Sequence, residues 1–205
     1  MKGKGDKILL LSCYVLLLCV AVMIILPIMN LIAVSISSQG AVVGGKVRFW
    51  PKGVQLDAYE YVISSKQFFY SLAVSLFVTL AGSTLAVICS VLAAYPLSKK
   101  NMPGRKAFLL IFIFTMMFNG GIIPSYLLIM KLHMINSVWS LILPQLISVY
   151  NLLIVKNYLE SLPEALEEAA KIDGASQMRI LRSVVLPMAK PVLATVFMFF
   201  VVSYW

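Results

Sequence analysis

The chain has 205 residues, 61% of them hydrophobic and only 12% charged, with a formal net charge of +9. So few charges at this length exclude an ordinary water-soluble domain and point to a polytopic membrane protein. The positive excess does not mark a nucleic-acid binder, because no basic run is interleaved with aromatics to stack bases. Basic residues flanking membrane spans account for it.

The first apolar run covers residues 8–34. Leu10-Leu11-Ser12-Cys13 imitates a lipoprotein cleavage site, but most of the apolar stretch follows Cys13, whereas a cleaved signal needs it before the cut. The run therefore reads as an uncleaved span. Cys13, Cys19 and Cys89 lie in apolar runs without metal-ligand spacing, which suits packing or lipid contact. Residues 35–66 form a Gly-rich segment in which Trp50, Tyr59 and Tyr61 suit a membrane interface. Residues 40–47, GAVVGGKV, approach a phosphate-binding loop. Val47 stands where Ser or Thr must reach Mg²⁺, and no strand pattern precedes the segment, so the match fails.

Four further runs cover about 67–96, 107–130, 137–155 and 189–205, each near the roughly 20 residues that a span requires. None of the five carries Asp, Glu, Lys or Arg in its body. Ion and proton pathways place ionisable groups at mid-membrane, so the energy for any transport enters elsewhere. The second run has a stripe of small and polar residues, Ser71, Ser75, Thr79, Ser83, Ala86 and Ser90, on one helix face. It serves close helix packing or a substrate path. The third is interrupted by Asn119-Gly120-Gly121 and Pro124, either a simple kink or a bend lining a passage. The fourth carries Pro144 with Gln145, Ser148 and Asn151, whose amides and hydroxyl suit sugar hydroxyls or a neighbouring helix. His133 is the single histidine and has no nearby carboxylate for catalysis. The last run stops at Trp205 without flanking polar residues, so the expectation is a chain truncated after five spans.

Between the fourth and fifth runs lies a polar island, EALEEAAKIDGASQMRILRSVVLP, at 164–187. With Glu160 just upstream it holds five of the eight acidic residues: Glu160, Glu164, Glu167, Glu168 and Asp173. Ser161 and Glu164 have capping-box spacing, and Pro163 is tolerated in a first helical turn. Glu167 and Lys171 stand i, i+4, the spacing of a helical ion pair. Gly174 permits a sharp turn, and a second helix is predicted over 176–185, ended by Leu186-Pro187. Membrane-surface helices favour basic residues and bulky apolar ones; this one is acidic and alanine-lined, which fits a protein partner better.

Alternating loops place twelve basic residues on the side of the N-terminus, the 97–106 loop and the island, against five on the other. The positive-inside rule puts the N-terminus and the island in the cytoplasm and residues 35–66 outside.

Glu168-Ala169-Ala170, then Gly174, Val184 and Leu186-Pro187, resemble in spacing the "EAA" signature of permease subunits in bacterial ABC importers. Val184 departs from the isoleucine common there. PEALEEAAKIDGAS, with FWPKG at 49–53 and FNGGIIPSYLL at 118–128, resembles the carbohydrate branch, MalG-like (the maltose-type second permease). The resemblance implies an all-α MetI-like type I importer transmembrane domain, normally of six spans. Residues 1–66 would then supply a span and an extracellular loop, and 67–205 the permease core, with a coupling loop at 159–188. It implies a non-catalytic subunit that translocates a carbohydrate, with Glu168, Ala169, Ala170, Asp173 and Gly174 docking on an ATPase. The implied partners are a second permease, a cytoplasmic ATPase dimer that binds MgATP, and an extracytoplasmic solute-binding protein. The substrate-path candidates are Asn119, Gln145, Ser148 and Asn151, with no metal, no cofactor on this chain and no nucleic acid. Alternatives are a permease for a non-sugar solute, a membrane enzyme, or a non-transporting anchor for a soluble partner.

Overall fold

The computed structural model describes residues 4–118 and 120–205. Among these, helices are joined by turns and loops, and the only β feature is an isolated antiparallel bridge between Ser37 and Val54. The chain divides into two units, Met1–Ser71 and Leu72–Trp205.

In the first unit, α1 (Lys4–Ser35) is long and apolar enough to cross a membrane. The following loop is tied down by its own backbone. Ser38 N–H donates to Lys52 O at 3.1 Å, Gln55 N–H to Ile36 O at 3.1 Å, and Lys52 N–H to Ser37 Oγ at 3.0 Å. Asn30 Nδ2 donates to the carbonyl of Arg48. Residues 40–47 contribute the short helix α2 (Gln39–Val43) and a turn through Gly44 and Gly45. α3 (Asp57–Ser64) starts with Asp57 and Glu60 in its first turn, where carboxylates favour the positive helix end.

The second unit is built on α4 (Lys66–Ser98), α8 (Val149–Glu160) and α11 (Leu186–Tyr204). Their buried faces form one core: Ala86, Val91 and Ala94 from α4, Leu152 and Val155 from α8, Val192, Val196 and Phe200 from α11. The deeper part of the α4 stripe, Thr79, Ser83, Ala86 and Ser90, is buried, while Ser71 and Ser75 are exposed. The Thr79, Ser83 and Ser90 hydroxyls have no hydrogen-bond partner among the described residues, so close approach rather than bonding explains the stripe. Gly82 belongs to it. A Cβ there would stand 2.9 Å from the Tyr204 ring, which its hydroxyl fixes by donating to Ile142 O at 2.9 Å. Overpacking of this kind costs about 1–3 kcal/mol. Gly82→Val is therefore expected to lower the melting temperature of the detergent-solubilised protein by several degrees, and an unchanged melt would deny the contact.

Three of the five expected spans are unbroken helices: Lys7–Ser35, Lys66–Ser98 and Gln177–Tyr204. The other two are bent pairs, so the count is three spans, or five if each pair crosses as one. The third run breaks between α5 (Arg105–Met117) and α6 (Ile122–Lys131). The fourth comprises α7 (Trp139–Ile142) with a 3₁₀ turn at Leu143–Gln145, then α8, with a 50° bend between them. α8 continues past the expected boundary at 155 to Glu160. The expected stop at Leu186-Pro187 is absent. α10 (Gln177–Ile180) passes through a π turn at Leu181–Val185 directly into α11. Pro187 then lies inside a continuous helix, directly after the π turn, where its missing N–H removes one bond from the ladder. The final run accordingly begins at 177 rather than 189.

Candidate functional site

The island folds as α9 (Glu164–Ile172), a sharp turn and α10. The expected capping box does not form. Pro163 is the N-cap of α9, without a side-chain bond, and Ser161 closes the preceding helix, its Oγ donating to Tyr158 O at 2.7 Å. Ser176 instead caps α10 by accepting from Arg179 N–H at 3.4 Å. The turn at Gly174 is as predicted, with φ +77°. Gly174 N–H donates to Lys171 O and Ala175 N–H to Ala170 O, each at 3.0 Å, which is the Schellman closure of a helix end. Ala170 and Ala175 pack against the core beside it.

The acids divide into two sets. Glu167, only 8% exposed, meets Lys99 in the α4–α5 turn, not Lys171 as its spacing predicted. Arg105 binds Glu160, which also pairs with Lys156 at 2.7 Å, and Lys100 meets Glu164 at 3.3 Å. The long-range pairing prevails because an exposed i, i+4 pair contributes only about 0.2–0.5 kcal/mol, while a nearly buried carboxylate must be matched by a cation. Glu168 and Asp173 point outward, as do Ala169 and Gly174. Beside them Leu166, Met178 and Ile172 are exposed, Ile172 to 87%. Of the five predicted coupling residues, four thus share an exposed acidic and apolar surface. Ala170, half-buried, supports it from within. Reading missed Lys99, Lys100 and Arg105 as its supports, although two loops of opposite charge on one side were the available signal.

Gln145, Ser148 and Asn151 converge on one cavity of about 590 Å³, completed by Tyr150, Phe199 and Ser203. The bend before α8 brings them together. Ser148 sits in extended backbone as the α8 N-cap and accepts from Asn151 N–H at 3.4 Å. Ser203 Oγ donates to Gln145 Oε1 at 3.2 Å, joining α11 to the 3₁₀ turn. Amides, hydroxyls and aromatic faces are the groups that bind sugars by hydrogen bonds and stacking. Tyr150 and Phe199 went unread, because an aromatic in an apolar run is more often packing. Asn119 lies outside the described residues.

A helical membrane fold with an exposed acidic hinge on one loop, and a cavity with amide and hydroxyl groups between the bent fourth run and α11, fits the transmembrane permease class. Residues 86–205 match the family described as "Binding-protein-dependent transport system inner membrane component", and the chain belongs to that family. It is 40% identical over 192 residues to the Polygalacturonan/rhamnogalacturonan transport system permease protein YtcP of Bacillus subtilis, covering 94% of this chain and 67% of that one. It is also 40% identical over 181 residues to Protein LplC of Bacillus subtilis, covering 88% and 61%. The Bacillus subtilis Galactooligosaccharides transport system permease protein GanQ is 34% identical over 200 residues, covering 92% of this chain and 69% of that one. Among solved structures, a bacterial ABC transporter involved in the import of the acidic polysaccharide alginate superposes with a TM-score of 0.92 at 35% identity, covering 100% of this chain and 73% of its own. The chain spans about two thirds of the length of the curated relatives it matches. The expected MetI-like importer permease fold is thus the fold observed.

Proposed function

We propose that this chain is the membrane-spanning subunit of a binding-protein-dependent ABC importer and carries an oligosaccharide across the cytoplasmic membrane. The observation that carries this reading is the exposed surface of Glu168, Ala169, Asp173 and Gly174, held by a Schellman turn in a chain of this family. Carboxylates beside small and apolar side chains let a partner backbone approach and offer acceptors to its cations. The partner is a cytoplasmic ATPase, one copy of a dimer, that holds MgATP; this chain performs no catalysis. A second permease completes the passage and an external solute-binding protein delivers the sugar. The basic-residue count supports a cytoplasmic N-terminus and a cytoplasmic island. A sugar substrate is supported by the relatives' printed substrates and by the cavity of Gln145, Ser148 and Asn151, with Asn119 a further candidate on the path.

Closure of the ATPase dimer on nucleotide would push α9 and swing the helices joined to it, opening the cavity to one side and then the other. Deletion of the gene is expected to abolish uptake of labelled pectin- or galactan-derived oligosaccharides, with recovery when it is restored. Uptake of all such glycans at the parental rate in the deletion strain would refute the sugar reading. Retention of the ATPase at the membrane would then separate an anchor from a permease for another solute.

A further inference from the structure

The α4–α5 turn binds the island more extensively than a connecting loop requires. Arg105 Nε donates to Leu97 O at 2.8 Å, a last-turn carbonyl of α4, and its terminal nitrogen binds Glu160 at the end of α8. One guanidinium thereby joins the C-terminal ends of two helices, where unpaired carbonyls favour a cation. The second Glu160 oxygen accepts from Lys156, itself buried, so the carboxylate is matched on both sides.

From the same turn Lys99 reaches Glu167 on α9, and its ammonium also lies 4.6 Å from the Tyr95 ring centroid. The Tyr95 hydroxyl donates to Gln177 Oε1 on α10 at 3.2 Å. The end of α4 thus holds both helices of the island, one on each side of Gly174. The Lys99 and Arg105 pairs are largely shielded, whereas Lys100 and Glu164 are exposed and contribute little. A cleft of about 620 Å³, lined by residues including Lys99, Met102, Leu159 and Glu167, lies under this bracket. Apolar packing therefore does not fill the space between α4 and α9, and the ion pairs span it.

We propose that residues 99–105 form a strap that fixes the ATPase-docking helix to the ends of α4 and α8, with Lys99 and Arg105 as positioning residues for coupling. The proposal rests on the coupling reading above. Without the strap, α9 would yield to the ATPase by pivoting at Gly174 while α4 and α8 stay in place. ATP would then be hydrolysed without proportionate transport.

The test measures sugar moved per ATP hydrolysed by the assembled transporter in proteoliposomes. Lys99→Glu and Glu167→Lys, singly, are expected to lower that ratio at least fivefold while the ATPase still co-purifies. The double swap is expected to restore it to within twofold. Should a single variant fail to accumulate, the Lys99→Met/Glu167→Met pair leaves no orphaned charge. It is expected to fold and still show the lowered ratio; a merely structural pair would leave the ratio at the wild-type value. Lys106→Glu makes the same charge change at an exposed position of α5 and is expected to alter nothing beyond twofold. An unchanged ratio in the Met pair, or a swap no better than the singles, overturns the strap. If Glu168→Lys uncouples the transporter while the Met pair does not, only the strap fails. If Glu168→Lys is also silent, the coupling reading fails with it.

Discussion

Replacing Gly174 by aspartate is expected to reduce sugar uptake below a tenth of the wild-type rate while the chain still inserts into the membrane. No heavy atom lies within 4 Å of a Cβ added there, so the substitution creates no clash. Its cost is conformational and electrostatic. At φ +77° an L side chain is strained by about 1–2 kcal/mol, and relaxing that strain redirects α10 relative to α9. A second carboxylate beside Asp173 also faces the negative end of α9, which disfavours the same turn. Both effects fall on the docking surface and neither on the core, so membrane abundance should hold. Gly174→Asn provides the calibration: asparagine and aspartate enter the left-handed region about equally well, so its uptake, expected above half, shows how much of the loss is due to charge. Uptake by Gly174→Asp at the wild-type rate, with the ATPase still bound, would remove the island from the coupling path.

The Gln145→Leu/Asn151→Leu variant is expected to slow uptake about tenfold at sugar concentrations well below saturation, where lost binding shows as rate. Each amide lost to a sugar hydroxyl removes about 0.5–1.5 kcal/mol, and 1.4 kcal/mol is a factor of ten. Leucine shares the branching of asparagine but is bulkier, so at Asn151, 5% exposed, membrane abundance must be measured alongside uptake. Transport in membranes matched for permease abundance checks this. An unaffected rate would place the sugar path elsewhere and leave the cavity to helix packing.

Much of this was legible in the sequence. Charge-free apolar runs marked the spans, and the Glu168-Ala169-Ala170 to Gly174 spacing marked the turn, because positive φ restricts the choice of residue strongly. What could not be read depends on distant parts of the chain. Ser161 and Glu164 have the spacing of a capping box, yet Ser161 terminates α8, because the same hydroxyl serves either helix and tertiary position decides. Glu167 lies one turn from Lys171, but folding brings Lys99 to it across 68 residues. Leu186-Pro187 reads as a stop, but the helix runs through it from the π turn upstream. The polar stripe of α4 left packing and passage open in sequence; the Tyr204 ring against Gly82 decides for packing there.

The π turn has a mechanical consequence. From Gln177 to Tyr204 the polypeptide is one uninterrupted shaft of 28 residues, roughly 40 Å long at about 1.5 Å per residue. One end lies beside the hinge at Gly174; the other presents Phe199 and Ser203 to the cavity. A small twist imposed at the hinge end would therefore turn the cavity's aromatic and hydroxyl lining directly, as a key turns the far side of a lock. The shaft stays helical throughout, and the π turn, Pro187 and Pro191 mark the points near its hinge end where it can bend.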